Sequence, residues 1–360
     1  MGRRGNVTAP LVSVILVLYN SADHLEDCLH SLLADALSPP FEIWVVDNAS
    51  ADHGAELAES FAAQAPHLHV LRNSTNRGYA GGVNTALPYA RGEFVAVLNP
   101  DSVVEPGWLA PAVALLQAQP DVGAVSPLIL LHTDGKAGLD RINSAGQNVH
   151  VTGLGFNRRL GRPRAVAGNA PMPVSGLHGA AFVIRRVLLD RMRGWDESGF
   201  LYHEDVALSW LLHLMGYELF CVPASVVRHK YHLTMYPEKL FLLERNRWAL
   251  LLTHLGGAAR LLLAPLLLFT EGLMWGYCLL RGPGFLRAKL ASYRWVAAQA
   301  PQLRERRRFV ESLRQRSDWQ VLRRLRWNYD WDQFFSLGRE RGVSARQPAG
   351  GLPVRIESGE

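Results

Sequence analysis

After ten mostly polar residues the chain enters an unbroken apolar run, residues 11 to 19 (LVSVILVLY). A continuous β-branched run of this length predicts a strand buried on both faces of a parallel sheet. Asn20-Ser21 can then cap a helix over about 22–37, with Leu25, Leu29, Leu32 and Leu33 on one face, and Pro39-Pro40 stops it. A strand at 41–46 (FEIWVV), a polar turn Asp47-Asn48-Ala49-Ser50 and a helix at about 52–64 follow. A short strand at 68–71, the segment Asn76 to Ala90 and an apolar strand at 94–98 complete an alternating series. Such alternation predicts an α/β fold, a doubly wound, mostly parallel sheet with helices on both faces. Ligands of such sheets sit beyond the carboxyl ends of the strands.

Between 132 and 178 the periodicity fades into Gly, Asn, Arg and Pro, the pattern of a functional loop. A strand and short helix return over 180–190, a helix at about 204–215 and a last core strand at 218–222. Beyond Trp248 the character changes. Residues 249–280 carry only Arg260 and Glu271 as charges, and twenty helical residues would match the roughly 30 Å of a bilayer's hydrocarbon. A buried core helix is the other reading of that run. Glu271 near its centre and Pro265 count against a clean span, and a single span would separate the two cytosolic ends. The expectation is an interfacial or partly inserted helical hairpin, with Trp275, Tyr277, Tyr293 and Trp295 near the headgroups and arginines on anionic lipid. The chain then divides into a tail (1–10), an α/β domain (11–248), an apolar helical region (249–300) and an arginine-rich helical tail (301–360) whose last part is disordered.

Composition narrows the picture. With 48% apolar and 19% charged residues the chain can bury a core, which excludes general disorder. A net charge of +6 is mild for 360 residues and argues against nucleic acid as a partner. Three scattered cysteines, Cys28, Cys221 and Cys278, offer neither a disulfide framework nor a zinc site and suit a reducing compartment.

The candidate chemistry clusters at predicted strand ends. Asp47 closes its strand where a carboxylate can accept a pyrimidine N3–H or a ribose hydroxyl; an Asx turn with a helix cap also explains Asn48, Ser50 and Asp52. Asn76-Arg77-Gly78-Tyr79-Ala80-Gly81-Gly82-Val83-Asn84 is a glycine-rich turn entering a helix, a cradle for diphosphate or a plain loop. Leu98-Asn99-Pro100-Asp101 brings a second carboxylate to the same edge, suited to a hard cation or to a Pro-Asp turn. His203-Glu204-Asp205 opens an apolar helix, either as caps or as a source of a general base. Arg228-His229-Lys230-Tyr231-His232 follows the last strand, as a metal and phosphate contact or a solvated loop.

Taken in order, Tyr19-Asn20, VVDNASAD, NRGYAGGVN, LNPDS, GAAFVIRR, GWDESGFLYHED and VRH resemble the family 2 glycosyltransferases of the GT-A fold, most closely their rhamnosyltransferase-like branch. The resemblance covers about residues 11–248. It implies that Asp47 contacts the nucleobase beside Tyr19, and that Asn76, Gly78, Asn84 and Asn99 belong to the donor site. Asp101 and His229 match the metal ligands, for Mg2+ or Mn2+. Asp205 matches the catalytic base, and Glu204 shapes the acceptor side. The implied reaction is inverting transfer from a dTDP- or UDP-sugar to a glycan or polyprenyl-linked acceptor, in cell-envelope polysaccharide synthesis at the cytoplasmic face of the membrane. Asn99 stands where DxD motifs have their first Asp. Ala207 and Trp210 stand where the branch usually has Asp and Arg after the ED pair, which removes those contacts. Two other functions compete: a membrane scaffold without activity, which those two departures motivate, and a sugar nucleotidyltransferase, which the absence of a glycine-rich basic loop after the first strand disfavours.

Overall fold

The computed structural model describes residues 9–132, 140–230 and 234–334. The alternating N-terminal series becomes β1 (Val12–Leu18), α1 (Ala22–Leu33), β2 (Phe41–Asp47), α2 (Gly54–Ala62), β3 (Leu68–Arg72), α3 (Gly78–Ala86) and β4 (Phe94–Leu98). Next come β5 (Ser102–Val104), α4 (Leu109–Ala118) and β6 (Val122–Leu131). β1 pairs in parallel with β2 and β4, and β2 with β3, so the order reverses at β1 and leaves a crevice beyond its carboxyl end.

Strand alternation divides the core between the two sheet faces. Val12, Val14 and Leu16 meet Leu25, Leu29 and Leu32 of α1 and Leu109, Val113 and Leu116 of α4. Ile15 and Val17 face the other way, toward Val83 of α3 and the later helices. Covering both faces is what allows seven consecutive buried residues in β1.

The stretch 132–178, expected to be irregular, is built of short strands over its described residues: β7 (Ile142–Ser144), β8 (Gln147–Val149), β9 (Gly155–Asn157) and β10 (Met172–Pro173). Asn143, Ser144, His150 and Thr152 are fully buried within it; Ser144 bonds the Gly146 carbonyl and His150 meets Thr152, while Asn143 Oδ1 meets the distant His229. β11 (Ala181–Arg185) enters between β4 and β6 and runs antiparallel to both, which makes the sheet mixed at its centre. After α5 (Arg186–Arg191) and α6 (Glu204–Leu214), β12 (Glu218–His229) lies parallel to β6. The last strand therefore reaches His229 rather than ending at 222; its register shifts between Val222 and Val226, around Pro223. Arg228 and His229 lie within it, and Tyr231 and His232 fall outside the described residues.

Helix α7 (Pro237–His254) runs through the position where the sequence suggested a domain boundary. Leu250 and Leu251 on it, and Leu255 after it, join the main core, with Leu263, Val310 and Leu322 from α8 to α12: α8 (Gly257–Leu262), α9 (Ala264–Arg281), α10 (Pro283–Ala298), α11 (Ala300–Leu313) and α12 (Asp318–Leu322). The apolar run 249–280 is thus divided among three helices, and among the described residues no helix is long and apolar enough to cross a membrane. Glu271 finds its charge partners in protein: Arg247, Lys289 at 2.8 Å, and the Tyr293 hydroxyl. Glu244 joins the same buried cluster through Arg247 and Lys289.

The four rings expected at headgroups are also engaged within the protein. Tyr293 meets Trp275 and Trp248, Tyr277 meets Phe285, and the Arg245 guanidinium lies over Trp295. The outward apolar side chains are instead Leu261, Leu262, Leu268, Phe269, Leu279 and Leu280. Several tail arginines hold the chain to itself: Arg306 to Asp196, Arg314 to Asp318, and Arg316 and Arg324 to Glu218. Residues 335–360, where the disordered part was expected, lie outside the described residues.

Candidate active site

Tyr19 and Asp47 sit side by side, because Leu18 and Asp47 are register partners at the ends of β1 and β2. Asp47 is buried, and its Oδ1 accepts from the Ser50 N–H at 3.2 Å, the Asx turn that the sequence allowed. Asn48 forms the hub behind it. Its Nδ2 donates to Asn76 Oδ1 and to the Gly78 carbonyl, each at 2.9 Å, while its Oδ1 accepts from Asn73 Nδ2 and the Arg77 N–H. Sequence reasoning took Asn48 for a turn residue; full burial of an amide with four partners marks it as the brace of this sheet edge.

The glycine-rich turn does not form a free phosphate cradle. The Arg77 N–H donates to Asn48, the Gly78 N–H to Asn76 Oδ1, and the Tyr79 N–H to the Phe200 carbonyl. Those donors at the start of α3 are occupied by protein. Gly78 has φ +73° and a Cβ there would lie 2.1 Å from the Phe200 carbonyl oxygen, so its glycine serves close packing. Asn84 likewise faces inward: Nδ2 donates to Glu197 and the Trp195 carbonyl, and Oδ1 accepts from the Trp195 N–H. Asn84 therefore shapes the site without presenting its amide to it, and Asn76 commits its Oδ1 to Asn48 and Gly78.

Asp101 and His229 do come together. Ser102 and His229 are register partners of β5 and β12, which puts His229 Nε2 3.2 Å from Asp101 Oδ1. His229 Nδ1 lies 3.0 Å from Asn143 Oδ1, an oxygen that can only accept, so Nδ1 carries the hydrogen and Nε2 turns its lone pair to Asp101. Two electron-pair donors held this close call for a cation between them, a proton on Nε2 or a metal ion. Burial alone would raise the Asp101 carboxyl, but the hydrogen bond and charge of His229, with His24 behind it, hold it below the ordinary carboxylate range. Among the described residues no third His, Cys, Asp or Glu completes a metal cage, so a cation here would take its other ligands from phosphate oxygens and water.

The opposite wall carries the acid pair. Phe200, Tyr202 and His203 all have φ between +62° and +72°, a run of left-handed non-glycine residues that delivers Glu204 and Asp205 to the start of α6. Asn246 of α7 clamps that run, with Nδ2 within hydrogen-bond reach of the Gly199, Leu201 and Tyr202 carbonyls. His203 closes it from behind, its Nε2 against the Gly153 carbonyl.

Asp205 Oδ2 accepts from Gln147 Nε2 at 2.8 Å and from the Gly179 N–H at 2.9 Å, and Oδ1 from the Val206 N–H at 2.8 Å. Burial nevertheless pushes its carboxyl up, outweighing those donors. Glu204 rises to about 8, through burial first and the neighbouring Asp205 second, and its Oε2 has no hydrogen-bond partner. The two carboxyls cannot both ionise freely, and the one holding three donors keeps the charge. Asn99 belongs to this side as well: its Oδ1 lies 2.7 Å from the Tyr79 hydroxyl, which also approaches the Gly179 carbonyl.

Residues 178–180 join the two walls. The Ala180 carbonyl accepts from the Asn99 N–H, and the Gly179 N–H reaches Asp205. His178, overlooked in the sequence, packs edge-on against His229 with 5.9 Å between ring centres. Burial pushes it down to about 3, and the Ala180 N–H donates to its Nδ1, so it is neutral with its hydrogen on Nε2. Trp210, at the usual Arg position, is buried in the core with Ala207 packed against it, so apolar contacts replace the family's charged pair.

Residues 13–191 match the model of Glycosyl transferase family 2. The N-acetylglucosaminyl-diphospho-decaprenol L-rhamnosyltransferase of Mycobacterium tuberculosis is 29% identical over 248 residues, which cover 62% of this chain and 78% of that protein. The uncharacterized protein y4gI of Sinorhizobium fredii is 30% identical over 230 residues, 61% of this chain, and the chain spans only 24% of its length. The solved structure of GalNAc-T7 with UDP, GalNAc and Mn2+ superposes with a TM-score of 0.54 at 20% identity, over 68% of this chain and 48% of that one, and shares the fold. Strand order, the paired edges and these similarities together make the chain a family 2 glycosyltransferase of GT-A fold, similar to the rhamnosyltransferase members.

Proposed function

We propose that this protein transfers a sugar, with inversion, from a dTDP- or UDP-sugar to a hydroxyl of a glycan or lipid-linked glycan acceptor. The observation that carries this reading is the facing of Asp101 and His229 by the Glu204–Asp205 pair across residues 178–180. Asp47, braced by Asn48 and flanked by Tyr19, binds the nucleoside. Asp101 and His229 would hold Mg2+ or Mn2+, and such an ion would supply neutralisation of diphosphate charge.

Asp205 takes the proton from the acceptor hydroxyl. The acceptor oxygen bonds to the anomeric carbon from the face opposite the leaving group. The bond from that carbon to the diphosphate oxygen breaks, and its electron pair leaves on the nucleoside diphosphate. A single displacement inverts the anomeric centre and needs no sugar attached to the enzyme. Gln147 and the Gly179 N–H hold Asp205 in place for this, and protonated Glu204 leaves it the only charged member of the pair.

The same reading places the protein on the cytoplasmic face of the membrane, through the outward Leu261, Leu262, Leu268, Phe269, Leu279 and Leu280. Exposed Arg287 and Arg294 on α10 suit anionic headgroups.

The test is nucleoside diphosphate release by purified protein from a panel of nucleotide sugars, with and without Mg2+ or Mn2+ and a lipid-linked glycan. Metal-dependent release that rises with acceptor is expected. Absence of release from every donor refutes the transfer, and release indifferent to a chelator refutes the role of Asp101.

A further inference from the structure

The strap that follows α12, residues 325–334, has two sides. Gln333 and Phe334 close the cavity beside Glu204 and Asp205. On the other side, with Asn148 of β8, the strap forms an open groove of about 670 Å3 walled by Trp327, Asn328, Asp330, Trp331 and Asp332. That volume lies within the roughly 300–1,000 Å3 of small-molecule sites. None of the residues given a part in the transfer chemistry lines it.

The aromatic floor of the groove is built up from the core. His150 is fully buried and held between Thr152 and the Trp327 carbonyl. Tyr329 stacks on it with ring centres 4.1 Å apart, and the Tyr329 hydroxyl meets that of Thr270 at 2.7 Å. Trp331 stacks in turn on Tyr329, with centres 5.0 Å apart and planes at 34°, and Phe334 stands edge-on beside it. Trp331, the last ring of that stack, is 41% exposed, and Trp327 is 43% exposed. Rings fixed from beneath in this way lose little freedom when a ligand covers them.

The polar groups around the rings select the ligand. Asp330 accepts from the Gln333 N–H and side-chain amide, both neutral donors, while Arg326 Nε donates to Asn148 Oδ1 at 3.3 Å. Among the described residues of the lining, two carboxylates, two amides and one guanidinium thus flank the rings. Phosphate chains and an anionic bilayer would face the carboxylates, which also resist entry into hydrocarbon. A bound cation would face Arg326. Donors and acceptors of both signs around aromatic faces suit neighbouring hydroxyls on a neutral ring whose C–H face rests on indole.

We infer that this groove binds neutral sugar rings of an oligosaccharide, one of them resting on Trp331 with its hydroxyls at Asn328 and Asp332. Asp332 lines the groove and Phe334 the cavity, two residues on and no more than about 7 Å along the chain. A glycan that ends in the cavity can therefore continue over the strap. That the ligand is the outer part of an acceptor glycan rests on the transfer reading; the binding site itself does not.

The experiment titrates the full chain by calorimetry with neutral hexasaccharides of glucose, mannose, galactose, rhamnose and N-acetylglucosamine, and in parallel with UDP. At least one hexasaccharide binds, equally well with and without saturating UDP. Trp331→Ala weakens it about tenfold and Trp331→Tyr restores most of the loss. Asp332→Ala weakens it about threefold or more. Tyr89→Ala, which removes an exposed ring outside this lining, changes nothing, and UDP affinity is the same in all these proteins.

Failure of every hexasaccharide to bind overturns the inference. So does binding that Trp331→Ala leaves intact, which puts the sugar elsewhere. Phosphatidylglycerol vesicles form a further arm: Trp331→Ala weakening vesicle binding while sparing the sugar makes the floor a lipid contact and overturns the inference as well. If Trp331→Ala does not fold, Asp332→Ala decides, its loss of affinity upholding the groove and unchanged affinity overturning it. Sugar binding that these variants weaken, in a protein that binds no nucleotide, upholds the groove and removes the transfer reading instead.

Discussion

Asp47 stands at the end of a strand whose two neighbours lie within the first 72 residues, whereas Asp205 is held by Gln147 and Gly179 in a cavity that reaches Phe334. Charge is handled differently as well. Near the donor edge Arg72 meets Glu56 and Glu59 in solvent, while beside the acceptor cavity Arg247, Lys289 and Glu244 are fully buried together. The donor end is thus a local product of the sheet, tolerant of its surroundings. The acceptor end is a non-local enclosure that stands or falls with its buried charges.

The largest effect should come from that enclosure. Arg247→Ala removes one of the two cations that Glu244 and Glu271 share and leaves them only Lys289, and breaking a buried pair costs about 3–5 kcal/mol. Urea unfolding measures it, with Arg72→Ala as the surface counterpart, whose solvent-screened pairs should make it far milder. Equal losses in the two variants would erase the contrast.

Next comes chemistry. Asp205→Asn should lower transfer about a hundredfold or more while leaving UDP affinity unchanged, because the residue lies on the acceptor wall. Single-turnover rates and equilibrium titration separate the two, and near-normal transfer would remove Asp205 as the base. Asp47→Ala should do the reverse, weakening nucleotide binding by roughly ten- to a hundredfold, the range of a hydrogen bond to a charged group. Loss of nucleotide affinity in both variants alike would mean that the ends are not separate.

Per pH unit the smallest effect is a slope, at most about 1.4 kcal/mol. Glu204 keeps its proton in the folded protein up to about pH 8 but loses it in the unfolded chain within the ordinary carboxylate range. The unfolded state then binds fewer protons across that window, so this group makes stability fall as pH rises from about 4.5 to 8, with no further change above. Glu204→Gln should flatten that part of the stability curve, and a slope identical to the parent would show that Glu204 titrates normally.

Legibility follows the same division. β1, β2 and β4 were readable because each is a short apolar run buried on both faces, and Asp47 and Asp101 because strand ends are where such sheets bind ligands; β3, where only Leu68 is buried, was readable from the alternation around it. The ends of α1 and α2 fell a few residues short of expectation, at Leu33 and Ala62. The stretch 142–173 escaped because buried polar side chains stand in it, Asn143 against the distant His229 and His150 between Thr152 and the Trp327 carbonyl, which leaves no apolar period to see. Gln147 and Asn246 escaped for a related reason, since nothing in their neighbours' identities records a partner 58 or 44 residues away. The apolar run 249–280 carries the composition of a membrane segment, and only the distant Arg247 and Lys289 show where Glu271 belongs.

The late closing strap has a consequence in time. The Arg326 backbone exchanges two hydrogen bonds with Val149 and Val151, and the Gln333 side chain two more with the Asn157 backbone. During synthesis the sheet and the Asp101–His229 edge are complete once β12 has emerged, while the cavity lacks its last wall until about a hundred further residues follow, roughly 5–20 s at ordinary elongation rates. For that interval the nascent protein carries a finished nucleotide edge beside an open, water-filled acceptor end. Its α7 surface, destined for burial, is then what a chaperone would meet.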